Sequence, residues 1–92
     1  MIVPEERMHR AVEALTEFGA RRVLLFGSFL DAPDRANDVD LAVEGIPLNR
    51  LLEADVAVYE ILKVPFDLVS REENPEFFDI VAARGKVLFE KG

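Results

Sequence analysis

Apolar residues fall at Met8, Ala11, Val12, Leu15 and Phe18, and their steps of three and four place them on one stripe of a helix. That helix is predicted over Pro4 to Phe18. Pro4 suits its first turn, Glu5 and Glu6 favour the positive end of the peptide dipoles, and Gly19 fits the position that stops it. The period then changes. Val23-Leu24-Leu25-Phe26 is an unbroken apolar run ended by Gly27, the pattern of a strand buried on both faces. Phe29 to Asn37 is polar and mixed, with Pro33 inside it, and predicts one short helical turn and a loop. From Asp38 to Val43 the residues alternate, with Val39, Leu41 and Val43 on one face and Asp38, Asp40 and Ala42 on the other.

Pro47 to Lys63 predicts a second long amphipathic helix. Leu48, Leu51, Leu52, Val56, Tyr59 and Leu62 form its core stripe, which makes Tyr59 a packed residue. Val64 to Val69 reads as a third strand, with Pro65 at its start or on an edge. Asn74 and Pro75 are a good cap and first residue for another helix, whose Phe77, Phe78, Ile80 and Val81 supply apolar contacts. Phe77 and Phe78 cannot both face one core, so one of them is expected to be partly exposed and to mark a partner surface. Gly85 ends that helix, and Val87-Leu88-Phe89 is a final strand. Helices alternating with strands predict α/β (α+β) layering: a small central sheet of three to four strands with helices packed on it, in one domain spanning residues 1–92.

Composition narrows the function classes. Eleven Lys and Arg against eighteen Asp and Glu give a net charge of −7, which argues against direct nucleic-acid binding because phosphate contacts need a basic surface. The apolar runs are far shorter than the roughly 20 residues that span a bilayer. With no Cys there is no disulfide, thiolate metal site or cysteine nucleophile, and the cytoplasm is the expected compartment. His9 lies off the stripe of its helix and reads as a surface residue.

Three acids stand in otherwise apolar strands. Asp38 and Asp40 leave the same face of one strand, roughly 6.6 Å apart at about 3.3 Å per residue. Two carboxylates that close repel unless a cation or proton sits between them, and Mg²⁺ suits one or two carboxylates plus substrate phosphates. Asp67, between Phe66 and Leu68, completes a triad if its strand neighbours theirs. Gly27-Ser28 follows a buried strand and opens a helical turn, where outward backbone N–H groups and the Ser28 hydroxyl can seat a phosphate. The Gly-Lys-Ser/Thr of a phosphate-binding P-loop is absent.

In that order the motifs resemble a known family. Leu25-Phe26-Gly27-Ser28 followed by Asn37-Asp38-Val39-Asp40-Leu41 and later by Pro65-Phe66-Asp67-Leu68-Val69 is similar to the polymerase-β-type nucleotidyltransferase superfamily, and the length is similar to its minimal nucleotidyltransferase branch. The resemblance implies the nucleotidyltransferase fold. It implies that Asp38 and Asp40, with Asp67, hold Mg²⁺ and ATP, that Asp67 assists the attacking hydroxyl, and that Gly27 and Ser28 hold the triphosphate. It further implies transfer of AMP onto a hydroxyl, foremost a Tyr of a HEPN-type toxin for which the chain is the antitoxin. The alternative is a degenerate module that neutralises its partner by binding without turnover. The chain departs from the family at Leu30-Asp31-Ala32, which stands in place of a small-Arg-Gly stretch. Asp31 and Asp34 repel a triphosphate there, and Arg35 is the nearby cation that offsets them.

Overall fold

The computed structural model describes residues 2–91. Along the chain run α1 (Glu5–Glu17), β1 (Arg22–Phe26), α2 (Ser28–Asp31), β2 (Val39–Glu44), α3 (Leu51–Leu62), β3 (Phe66–Ser70), α4 (Pro75–Ala82) and β4 (Lys86–Glu90). Single 3-10 turns at Pro33–Arg35 and Leu48–Arg50 precede β2 and α3. The four strands form one mixed sheet in the order β3-β2-β1-β4. β1 runs antiparallel to both β2 and β4, whereas β2 and β3 are parallel. The parallel pair requires a crossover, and α3 supplies it.

Local sequence explains the boundaries. Pro4 precedes α1 and its carbonyl accepts from Arg7 and Met8 N–H at 3.0 and 3.2 Å. Gly19, at φ +115°, takes the left-handed conformation that ends the helix. The Asn74 side chain accepts from Phe77 N–H at 3.4 Å and Pro75 occupies the first position of α4, as the capping reading expects. β2 begins at Val39, one residue later than the alternation suggested, so Asp38 sits on the bend just before it.

Two layers cover the sheet. On one face α1 and α3 bury Ala11, Leu15, Ala54, Val58 and Leu62 against Val23, Leu25, Val39, Leu41 and Val43. On the other, α4 buries Phe78 and Val81 against Leu24 and Ala42. The alternation in β2 therefore separates two apolar layers, with Ala42 as buried as its neighbours.

Only part of the stripe expected on α3 is buried: Leu62 lies in the core and Leu51 packs against it. Leu48, Leu52, Val56 and Tyr59 are 54, 77, 50 and 55% exposed, so Tyr59 is a surface residue. Ala54, Val58 and Ile61 complete the inward face of the helix in their place. Its apolar residues run around nearly the whole circumference, so their spacing fits two faces equally well. Packing against α1 decides between them, since small Ala54 and Ala11, both fully buried, let the two helices approach closely. On α4, Phe78 is buried and Phe77 40% exposed, while Ile80 faces solvent rather than the core. His9 is exposed and pairs with Glu13 at 3.4 Å.

Candidate functional site

The three strand acids meet. In the parallel β2–β3 ladder Asp40 lies opposite Asp67, and in the antiparallel β1–β2 ladder Phe26 lies opposite Asp40. Phe26, Asp40 and Asp67 thus form a row across three strands, on the face that α4 covers: Phe77 packs edge-on against Phe26 at 6.0 Å between ring centroids, while Asp67 at the other end is exposed. Asp38 reaches the same place from the bend before β2. One carboxylate oxygen from each of Asp38, Asp40 and Asp67 lies within 4.8 Å of the others. Asp38 and Asp40 are half-buried and Asp67, on the edge strand, is exposed.

Burial, then the charges of Asp38 and Asp67 and a hydrogen bond shared with Asp67, push the Asp40 carboxyl up from 3.8 to about 6. Among the described residues no Lys, Arg or His pairs with any of the three acids. Three converging, uncompensated carboxylates fit a hard divalent cation such as Mg²⁺.

Gly27 closes the site from β1. Its φ of +77° is one that side chains rarely adopt, and a Cβ built there would run into the Asp40 carboxylate. A glycine is needed on both counts: for the turn and for the close approach of the backbone to the acid. Ser28 follows as the exposed first residue of α2, and Gly27 carbonyl accepts from Leu30 and Asp31 N–H at 3.1 and 3.2 Å. All five sequence-predicted residues therefore lie at one end of β1, β2 and β3.

No family model and no curated protein matches the sequence. Solved structures do match. A chain of a toxin–antitoxin crystal structure with AMP-PNP superposes with a TM-score of 0.75 at 20% identity, over 97% of this chain and 75% of that one. A mutant of the toxin–antitoxin MntA-HpeT gives 0.74 at 19% identity, over 91% and 72%. A structure assigned as a minimal nucleotidyltransferase gives 0.68 at 27% identity, over 88% and 91%. This chain has the fold of a minimal nucleotidyltransferase.

Within that nucleotidyltransferase fold, one residue that the sequence reading passed over stands beside the site. Arg84 joins Phe26, Gly27, Leu30, Asp31, Phe77 and Ile80 around a cleft of about 380 Å³ between α2 and α4. No ion pair engages Arg84 among the described residues, whereas Arg21, Arg22, Arg50 and Arg71 all pair with acids. A basic residue just past a helix end is ordinarily explained by the helix dipole, so nothing in the sequence marked it. Arg35, the cation expected near the phosphate seat, lies exposed on the 3-10 turn. The cleft reaches the site through Gly27 rather than through the three acids, whereas a larger cavity of about 770 Å³, between α1 and the β4 side of the sheet, is lined by none of the five site residues.

Proposed function

We propose that the chain is a Mg²⁺-dependent nucleotidyltransferase that moves AMP from ATP onto a hydroxyl of a HEPN-type toxin, foremost a Tyr, and acts as that toxin's antitoxin. The observation that carries this reading is the β2–β3 register, which sets Asp67 beside Asp40 and unites three acids that no Lys, Arg or His among the described residues pairs with. The shared fold with toxin–antitoxin structures, one of them with AMP-PNP, supports the partner and the nucleotide.

Each side chain then has a task. Asp38 and Asp40, with Asp67, would hold Mg²⁺, which would supply the positive charge that offsets the phosphates. Gly27 and Ser28 seat the phosphates, and Arg84 offers the cation that Asp31 and Asp34 leave wanting. Asp67 faces solvent on the edge strand, where it can accept the proton of an incoming hydroxyl. The hydroxyl oxygen attacks the α-phosphorus, the bond to the β-phosphate oxygen breaks, and pyrophosphate leaves as the AMP ester forms.

The deciding experiment incubates the chain with its toxin, ATP and Mg²⁺ and reads the toxin's intact mass. Wild type adds AMP, and Asp67→Asn, which keeps size but loses the proton acceptor, adds it about 10²–10⁴-fold more slowly while still co-purifying with the toxin. Stoichiometric silencing without any mass addition refutes the transferase reading and leaves the pure binding module, which Asp31 at the phosphate seat would then explain.

A further inference from the structure

The outer face of α3 has no partner within the fold. Leu52, Val56 and Tyr59, each half or more exposed, follow one another at steps of four and three and so form a strip about 10 Å long at 1.5 Å per residue, which the exposed Leu48 extends from the 3-10 turn just before the helix. The inner face of the same helix is already satisfied by α1 and the sheet. A helix apolar on both sides is built to be covered on both sides. The four side chains expose roughly 400 Å² together, the scale at which a surface patch is commonly functional.

Charge selects what covers it. On the helix surface Glu53 and Glu60 border the strip on one side and Asp55 borders it on the other, with Lys63 at its C-terminal end; Glu53 already has an exposed partner in Arg50 at 3.7 Å, so Glu60 and Asp55 carry most of the border charge. A second copy would bring the same borders. Packed antiparallel, the Glu53–Glu60 border meets itself and Asp55 meets Asp55; packed parallel, Glu53 and Glu60 meet Asp55. Both arrangements set acid against acid, and the net charge of −7 adds to the repulsion. A foreign helix with an apolar stripe between basic borders satisfies both the strip and its acids.

We propose that the outer face of α3 is the docking surface for such a basic-bordered amphipathic helix of another protein. It rests on the proposed function only in taking that protein to be the toxin. The surface lies on the opposite side of the sheet from Asp38, Asp40 and Asp67, because α1 and α3 pack on one face and the carboxylate row opens on the other. Docking and chemistry therefore use separate surfaces, and the toxin molecule held on α3 is not the one whose hydroxyl meets Asp67.

The test measures anisotropy of two fluorescent helical peptides of about 20 residues. Both carry a Leu stripe; one is bordered by Lys and Arg and the other by Glu. The basic-bordered peptide should bind saturably and weaken with salt, and Leu52→Ser with Val56→Ser should cost about tenfold or more. Both positions are exposed, so folding should hold. Val87→Ser, an exposed position on β4 outside both surfaces, should leave peptide binding unchanged. Glu53→Lys with Glu60→Lys should reverse the preference toward the Glu-bordered peptide. Equal binding of the two peptides, indifference to both α3 variants, or a wild-type dimer that Leu52→Ser with Val56→Ser dissociates in sedimentation would each overturn the proposal. Mg–ATP titration of the same proteins separates the two ideas: nucleotide binding with no peptide binding defeats the docking surface alone.

Discussion

Asp40 offers the sharpest test of the site, because its environment penalises its charge. Replacing it with Asn keeps its shape, removes the charge and leaves an amide able to hydrogen-bond Asp67. A carboxyl raised from 3.8 to about 6 holds its proton more tightly folded than unfolded. The folded state is therefore favoured by this group below about pH 4, loses that advantage as pH rises from about 4 to 6, and is penalised by a constant amount above. At 1.36 kcal/mol per pKa unit the penalty has a ceiling of about 3 kcal/mol. The row is open to solvent at Asp67, and screening brings the expected value to about 1 kcal/mol.

Thermal unfolding by circular dichroism in EDTA, from pH 4 to 8, reads this directly. Asp40→Asn should melt with wild type near pH 4 and about 4–8 °C above it at pH 7, the shift that about 1 kcal/mol produces in a domain of this size. Mg²⁺ should reverse the order, because binding to the folded state stabilises only the chain that keeps its ligands. A mutant less stable than wild type at pH 7 without metal, or a gap that does not change with pH, would show that Asp40 is a structural ion. The site reasoning would then fail at its centre.

Gly27→Ala should destabilise the chain by about 1–2 kcal/mol from its positive φ alone, and it should abolish Mg–ATP binding because the new methyl enters the space of the Asp40 carboxylate; calorimetry and melting check both. Arg84→Gln should weaken ATP binding more than AMP binding and flatten its salt dependence, with Arg35→Gln as the comparison; an equal loss for both nucleotides would show that Arg84 does not meet the triphosphate.

Strand identities were legible because β1 and β2 carry short patterns that only one period fits. Val23-Leu24-Leu25 is buried throughout and Asp40 alternates with Val39 and Leu41. The acids and Gly27 were legible for the same reason: a charge or glycine in an apolar strand contradicts its surroundings unless it has a task. Strand order was not legible, because nothing in the local pattern states that β2 lies between β1 and β3, and the triad depended on it. The face of α3 was partly misread because leucine at Leu52 and valine at Val58 look alike to a periodicity, while fit against α1 separates them. Arg84 was missed because its meaning comes from α2, more than fifty residues earlier in the chain.

β2 itself argues that the triad awaits a cation. Asp40 and Glu44 project from the same face of this strand, four residues and about 13 Å apart at 3.3 Å per residue. Glu44 receives three guanidinium groups: Arg22 at 3.0 Å, and Arg21 and Arg71 each at 3.6 Å. Its charge is thus balanced within the fold. Asp40 instead faces two further carboxylates and a glycine whose backbone presses against it. Structural acids in a small sheet are expected to resemble Glu44, since a buried charge without a partner costs stability. Among the described residues the Asp40 end lacks cations while the Glu44 end has three, which supports the proposed metal site. α4 covers the sheet at Leu24 and Ala42 and reaches the row only at its Phe26 end, where Phe77 packs edge-on at 6.0 Å between ring centroids, so that Asp67 stays open to solvent.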